Sequence, residues 1–306
     1  MRSEQEMYDL ILEVARRDER IRAVYQNGSR VNPNAPRDIF QDYDIVYVVK
    51  ETASFRRQER WLDVFGKRLY MQKPEEMDAM LGKEADLEHC YGYLMQFSDG
   101  NRLDLHLQTL CYSRREIVKD KLCRTLLDKD GALPAIPDVT DRDYWVKKPG
   151  QAQFSCCCNE FWWLMNNVAK GLWRKEIPYV IDMLERYVRP QLVAMLSWYI
   201  GIQTGFSCSV GKSGKYLQRL LPPECWERFV QTYSAAVIPQ IWRAVFAMCD
   251  LFEETALLVA NALSLCYNQE EGSNSRFFLE NAYCLPQNAE DVIQTPFPSK
   301  GDKNRI

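Results

Sequence analysis

The chain has 306 residues, of which 46% are hydrophobic and 26% charged, with a formal net charge of −3. This length suits one large globular domain or two ordinary ones, and the slight acidic excess argues against nucleic acid as the main partner. The N-terminus is polar without a signal-peptide core, and no stretch reaches the ~20 apolar residues of a membrane helix, so we expect a cytoplasmic protein that contacts no membrane.

The first third of the chain predicts a mixture of helices and strands. Residues 3–19 predict a helix, with Ser3 as N-cap and Glu6 completing a capping box. Strands are predicted at 21–26 and, most strongly, at 42–49, which is rich in valine and tyrosine. The further elements predicted are a helix at 54–65 and strands at 67–72, 91–97 and 102–108.

The pattern changes after about residue 145. Lys147-Lys148-Pro149-Gly150 predicts a junction, and residues 152–268 show long helical periodicity. Pro178 suits a helix start, whereas Pro190 lies inside a helical pattern and predicts a kink or a break. We therefore predict an α+β protein. Its parts are a mixed-sheet domain at 1–145, an all-α helical bundle at 146–285 and a loose C-terminal tail at 286–306.

The eleven cysteines are an odd number in a chain without a secretion signal. We therefore expect reduced thiols that pack as small hydrophobic side chains. The run Cys156-Cys157-Cys158 makes a poor tetrahedral metal site, because adjacent helical positions point in different directions. It predicts a buried helical face instead.

The sharpest chemical signal is Gly28-Ser29 followed, after a loop, by Asp42-Tyr43-Asp44 at the start of an apolar strand. Side chains alternate along a strand, so Asp42 and Asp44 project from the same face. Two carboxylates this close repel each other, and Mg²⁺ neutralises such a pair with hard oxygen ligands. Gly28 lets the backbone approach a phosphate closely, and Ser29 adds a hydroxyl and an N–H.

The strand predicted at 102–108 supplies a third acid. Its leucines alternate with Arg102, Asp104 and His106, which share the other face. If this strand lies beside residues 42–49, three carboxylates meet on one sheet face, as in two-metal phosphoryl-transfer sites. A lone Asp-x-Asp more often marks a solvated strand edge, but the conjunction with Gly28-Ser29 favours a metal-dependent site. For His106 we expect a structural or supporting role.

Gly28-Ser29, Asp42-Tyr43-Asp44 and Asp104 match the pattern of the nucleotidyltransferase superfamily. From about residue 3 to about residue 265 the chain also resembles the aminoglycoside 6-adenylyltransferases, the streptomycin-modifying family. The segments that carry this resemblance include Asp18–Val24, Phe40–Ile45, Met71–Glu75, Cys157–Trp162, Lys170-Gly171, Arg174–Ile177, Gly201-Ile202 and Ser209–Lys212.

The resemblance implies a nucleotidyltransferase domain followed by a helical domain, with the active site between them. It implies transfer of AMP from MgATP to the 6-hydroxyl of streptomycin, release of pyrophosphate and inactivation of the drug. Asp42 and Asp44 would hold Mg²⁺, and Asp104 would act as general base or share a second metal. The family's acidic residues before Cys157 are missing at Phe154-Ser155-Cys156, which leaves the acceptor open.

Several charged and aromatic residues are candidates for the two substrates. Lys212, Lys215 and Arg30 are candidate contacts to the ATP phosphates, although an inter-helix loop with solvated lysines is the alternative. The loop resembles a Walker A motif only superficially, because Phe206 stands where the first glycine is needed. Glu160 is a candidate partner for a cationic acceptor, and Trp163 is a candidate to lie against that acceptor. The alternatives are a solvated or ion-paired helix residue for Glu160 and core packing for Trp163.

These observations predict a monomer whose partners are ATP and an aminoglycoside, with no nucleic acid. Two alternatives stay open. One is a nucleotidyltransferase for another aminocyclitol or small-molecule acceptor, and the other is a catalytically silent nucleotide-binding relative.

Overall fold

The computed structural model describes residues 1–136 and 138–293. The chain divides into two units, Met1–Asp143 and a second that starts at Tyr144. Within the described ranges, no helix combines the length and the apolar character needed to cross a bilayer.

A mixed sheet forms the centre of the first unit. Its six strands among the described residues are β1 (Ile21–Asn27), β2 (Tyr43–Val49), β3 (Arg68–Gln72), β4 (Cys90–Phe97), β5 (Arg102–Thr109) and β6 (Cys123–Asp128). They lie in the order β3-β4-β5-β2-β1-β6. The central pair β2 and β5 is parallel, and every other neighbouring pair is antiparallel.

Helix α1 (Glu4–Arg17) packs on this sheet through one apolar face, which consists of Met7, Ile11 and Ala15. The predicted capping box is confirmed: the Ser3 hydroxyl accepts from the Glu6 N–H, and the Glu6 carboxylate accepts from the Ser3 N–H at 2.7 Å. Tyr47 of β2 is fully buried and donates its hydroxyl hydrogen to the Ile11 carbonyl at 2.6 Å. That bond fastens α1 to the strand that carries Asp44.

The prediction of one continuous helix at 54–65 is wrong. The segment is a short helix α2 (Ala53–Arg57) followed by a 3₁₀ helix at Glu59–Phe65, and Gln58 between them has non-helical angles. The tighter 3₁₀ turn places residues three apart on one side, and Leu62 and Phe65 are both fully buried. Strand β6 and two short helices of this unit were not predicted from the sequence. The two helices are α3 (Pro74–Met80) and α4 (Leu110–Glu116).

The described part of the second unit is helical. Its α-helices are α5 (Gln151–Trp173), α6 (Ile177–Met183), α7 (Arg189–Thr204), α8 (Leu217–Leu220), α9 (Pro223–Gln231), α10 (Ile238–Leu263) and α11 (Gln269–Cys284). Aromatic rings fill its centre, where Phe161 of α5 stacks on Phe252 of α10 and Trp162 donates to the Tyr267 hydroxyl at 2.9 Å. The predicted α+β class, a mixed sheet followed by helices, is confirmed.

Pro190 does not break the helical path. A π-helical segment, Leu184–Val188, joins α6 to α7, and Pro190 is in the first turn of α7. Proline lacks an N–H and clashes with the carbonyl four residues earlier, and a wider turn relieves that clash. The predicted irregularity therefore takes the form of a π turn. Pro178 lies in the first turn of α6, at a helix start as predicted.

All eleven cysteines lie in the described part of the chain and are free thiols. Cys157 and Cys158 are buried in the helical core, as the sequence predicts, whereas Cys156 is exposed. The expectation of buried thiols is also wrong for three others, Cys111, Cys266 and Cys284, which are exposed.

Of the predicted tail at 286–306, residues 294–306 lie outside the described residues. Residues 286–293 contain no helix or strand. The Gln287 side chain donates to the Trp173 carbonyl at 2.9 Å, so this part of the segment contacts the end of α5.

Candidate active site

The parallel pair β2 and β5 brings the three predicted carboxylates together. Asp44 lies directly opposite Asp104 in the strand register, and Asp42 immediately precedes β2. Carboxylate oxygens of all three lie within 4.8 Å of one another. Mg²⁺ prefers a set of hard oxygen ligands, so this donor set fits such an ion.

Asp44 carries the main electrostatic cost of this cluster. Burial raises the pKa of Asp44 to about 7, and the neighbouring Asp42 and Asp104 add to the rise, while Arg102 and Arg30 oppose it. An ionised Asp44 is therefore costly in the protein by itself. A cation among the three carboxylates would remove that cost, because it favours the charged form.

Arg102 is the positive group nearest to the cluster. Its guanidinium holds both oxygens of Asp104, with Nε at 2.8 Å and Nη2 at 2.6 Å, and Nε lies 3.8 Å from an Asp42 oxygen. The hydrogen bond to Asp104 raises the pKa of Arg102 further. The alternation along β5 predicts Arg102 on the face of Asp104, but its role at the site was not predicted from the sequence.

Gly28 closes one side of the cluster. It follows β1 directly and has a φ of +80°, a conformation that favours glycine. A Cβ atom added at Gly28 would lie 1.9 Å from an Asp44 carboxylate oxygen. Both the backbone conformation and the space beside Asp44 thus require glycine here.

Ser29 and Arg30 continue this loop. The Ser29 hydroxyl accepts a long hydrogen bond from the Gln41 amide at 3.4 Å. The Arg30 guanidinium donates to the carbonyls of Gln41 at 2.7 Å and Asp42 at 2.9 Å, and it lies over the Tyr43 ring. Arg30 therefore fixes the backbone that carries Asp42, and a phosphate contact from it stays a prediction.

Lys212 and Lys215 lie in an irregular loop of the second unit, between α7 and α8. Both side chains are exposed, and Gly211 and Ser213 around them have positive φ values of +73° and +56°. A P-loop instead links a strand to a helix, so this loop is not one. Contact of these lysines with phosphate stays a prediction.

Trp163 and Glu160 lie on α5 but line different cavities. Trp163 is 64% exposed, so the alternative of core packing is wrong for it. It lines a cavity of about 460 Å³ together with Glu270 and Glu271 of α11. Glu160 is exposed in a second cavity beside Cys156 and Trp198. Glu270 and Glu271 were not predicted from the sequence, because they are more than a hundred residues away from Trp163 in the chain.

The chain is similar to known proteins over most of its length. The chain is 43% identical to an aminoglycoside 6-adenylyltransferase of Campylobacter jejuni, with 87% of this chain and 91% of the relative covered. It is 41% identical to one of Bacillus subtilis, with 93% and 99% covered. A solved structure of an aminoglycoside 6-adenyltransferase from Bacillus subtilis is 38% identical, covers 93% of this chain and 100% of its own, and superposes with a TM-score of 0.47.

The sequence model described as streptomycin adenylyltransferase matches residues 1–282. The chain therefore belongs to the streptomycin adenylyltransferase family, and it is an enzyme of the nucleotidyltransferase class.

Proposed function

We propose that this enzyme transfers the adenylyl group of ATP to the 6-hydroxyl of streptomycin, releases pyrophosphate and so inactivates the drug. The observation that carries the proposal is the cluster of Asp42, Asp44 and Asp104 on parallel neighbouring strands, with Gly28 against Asp44. The relatives named aminoglycoside 6-adenylyltransferases support the acceptor class.

In this proposal Asp42 and Asp44 hold Mg²⁺, and Gly28 and Ser29 lie beside the nucleotide, with Lys212 and Lys215 as further phosphate contacts. When bound, the ion neutralises the charge of the triphosphate and of its leaving group. The acceptor hydroxyl oxygen forms a bond to the α-phosphorus, and the bond from that phosphorus to the pyrophosphate oxygen breaks.

Asp104 takes the proton of the acceptor hydroxyl, or else it helps to hold a second metal ion. Both of its oxygens accept a hydrogen bond from Arg102, but a carboxylate has about four lone-pair sites, so each oxygen keeps one for the proton or the ion. Arg102 is half exposed and has a long, flexible side chain, so it can turn away when another cation or the substrate hydroxyl arrives.

Mg²⁺ binding to the nucleotide-free enzyme is expected to depend on pH through Asp44, whose pKa burial raises to about 7. Below that pH the carboxyl keeps its proton, which the metal must displace. Apparent Mg²⁺ affinity should therefore rise about tenfold between about pH 6 and pH 8. Isothermal titration calorimetry measures it, and a flat profile would argue against Asp44 as a ligand.

The cavity beside Trp163 is the part of the helical unit that suits a cationic acceptor best. An exposed indole attracts guanidinium or ammonium groups through its ring face, and carboxylates bind guanidinium through paired hydrogen bonds. Trp163 shares its cavity with Glu270 and Glu271. Asn159 already donates to Glu271, which holds that carboxylate in place.

Trp163→Ala is expected to raise the KM for streptomycin roughly 2- to 30-fold, because a cation–π contact contributes ~0.5–2 kcal/mol. The KM for ATP should stay within about twofold. Glu160→Gln is the matched variant, since Glu160 lines the other cavity. Steady-state kinetics with both substrates varied decides between the cavities. A raised KM for streptomycin in Glu160→Gln alone would mean that the acceptor binds in the second cavity.

The experiment that tests the acceptor is a panel of aminoglycosides and aminocyclitols incubated with enzyme, ATP and Mg²⁺, followed by mass spectrometry and NMR of each product. The proposal expects streptomycin to gain one AMP group on its 6-hydroxyl. AMP on another hydroxyl, or on a different acceptor alone, would contradict the assignment of the 6-hydroxyl of streptomycin. ATP binding without transfer to any acceptor would identify a silent relative.

A further inference from the structure

A second group of side chains that can bind a metal lies beside the same sheet, apart from the three aspartates. Its members are Glu75 of α3, Cys90 at the start of β4 and His106 of β5. One ligand atom from each lies within 4.8 Å of the other two. Cys90 is buried, and Glu75 and His106 are each partly exposed.

The Cys90 thiol donates a long hydrogen bond to Glu75, whereas the separation of Glu75 from His106 is not that of a hydrogen bond. Glu75 Oε1 lies 3.8 Å from Cys90 Sγ and 3.8 Å from His106 Nδ1. A nitrogen–oxygen distance of 3.8 Å is too long for a hydrogen bond. Ligands about 2.0–2.3 Å from a tetrahedral zinc ion are about 3.3–3.6 Å from one another. The two contacts of Glu75 therefore need to contract by only a few tenths of an ångström around such an ion, and the ligand atoms of Cys90 and His106 lie within 4.8 Å of each other.

The surroundings hold these ligands in place. The second oxygen of Glu75, Oε2, accepts the Gly92 N–H at 2.8 Å, and Gln108 Nε2 approaches Cys90 Sγ at 4.0 Å. A Cβ added at Gly92 would lie 2.9 Å from the His106 ring and 3.0 Å from Glu75 Oε2. Gly92 thus leaves the space in which the carboxylate and the imidazole approach each other. Hydrogen bonds of this kind orient metal ligands.

We propose that Glu75, Cys90 and His106 form a zinc site, with the fourth position of the ion left to water. Sulfur and imidazole ligands favour Zn²⁺, whereas the carboxylates of the aspartate cluster favour Mg²⁺. The two sites therefore select different ions on one sheet. Zinc here joins α3 to β4 and β5, and it fixes His106 two residues away from Asp104 on the same strand.

Zinc binding has one identifiable cost, which is the deprotonation of Cys90. Burial raises the pKa of the Cys90 thiol to about 12, and the nearby Glu75 contributes to that rise. The thiol must lose its proton when the metal binds, so uptake of each ion releases a proton into the buffer.

The test is titration of the metal-free full-length enzyme with Co²⁺, which replaces zinc and gives an absorption band when a thiolate coordinates it. We expect one equivalent of Co²⁺ to produce the band and one equivalent of Zn²⁺ to remove it. Cys90→Ser and, independently, His106→Gln should lose the band while circular dichroism shows the native fold.

Three controls locate the site. Cys111→Ser changes an exposed cysteine, His89→Gln changes the only other histidine, and Asp44→Asn alters the aspartate cluster. All three should keep the band. Absence of the band in the unmodified enzyme, or its survival in Cys90→Ser, would overturn the proposal.

Discussion

Asp44→Asn is expected to remove nearly all adenylyl transfer and, at the same time, to stabilise the metal-free protein. The loss of activity follows from the loss of a charged ligand, because metal assistance contributes several kcal/mol and each ~1.4 kcal/mol is a factor of ten in rate. A fall in kcat/KM of about 10³-fold or more is therefore expected. It is measured with MgATP and streptomycin in steady-state assays.

The gain in stability follows from the raised pKa of Asp44. A carboxyl whose folded pKa is about 7, against 3.8 in the unfolded chain, opposes folding once it is ionised. The destabilisation grows as pH rises from about 4 to about 7 and stays constant above that range. Asparagine has the same shape and no charge, so its advantage should be largest at about pH 8 and small near pH 4.

Thermal unfolding in the presence of EDTA measures this effect. The melting temperature of Asp44→Asn at about pH 8 should exceed that of the unmodified protein by several degrees, since 1 kcal/mol corresponds to about 2–4 °C in domains of about 150–250 residues. Asp9→Asn, on the exposed face of α1, is the matched control and should change neither stability nor activity. A lower melting temperature for Asp44→Asn would show that its charge is already compensated without metal.

Gly28→Ala is expected to damage both the fold and the site. Alanine at a φ of +80° costs ~1–2 kcal/mol, and its Cβ would lie 1.9 Å from the Asp44 carboxylate. Asp44 or the loop must move, so we expect Mg²⁺ affinity and kcat/KM to fall at least about 10-fold, since small displacements in a site are costly.

Gly82→Ala separates the effect of backbone strain from the effect of contact with Asp44. Gly82 has a φ of +72°, but no atom lies within 4 Å of its added Cβ. Both variants should therefore lose a similar amount of stability from the backbone alone, and only Gly28→Ala should lose metal affinity and activity. Calorimetric Mg²⁺ titrations and thermal melts of both variants measure these effects. Equal activity in the two would mean that contact with Asp44 is unimportant.

The carboxylate cluster was predictable because it depends on local rules. Alternation along a strand puts Asp42 with Asp44, and it puts Arg102 with Asp104 and His106. One further assumption, that the two strands are neighbours, is correct, since β2 and β5 pair in parallel. The sequence does not reveal that Arg102 holds both oxygens of Asp104, because its side chain could equally extend into solvent.

Contacts between segments that are far apart in the chain could not be predicted from the sequence. Glu270 and Glu271 join Trp163 only because α11 packs beside α5, and no local pattern encodes that pairing. Glu75 approaches Cys90 and His106 because Gly92 has no side chain in their way. The 3₁₀ turn at Glu59–Phe65 was missed because its apolar residues also fit helical spacing.

Adenylyl transfer by the three aspartates is tested most directly by the mass of streptomycin after incubation with ATP, Mg²⁺ and either the unmodified enzyme or one of three variants. These are Asp42→Asn, Asp44→Asn and Asp104→Asn. We predict that the drug gains one AMP group with the unmodified enzyme and, over the same time, essentially none with each variant. Full modification of the drug by any of the variants, or gain of a phosphoryl group in place of AMP, would contradict it.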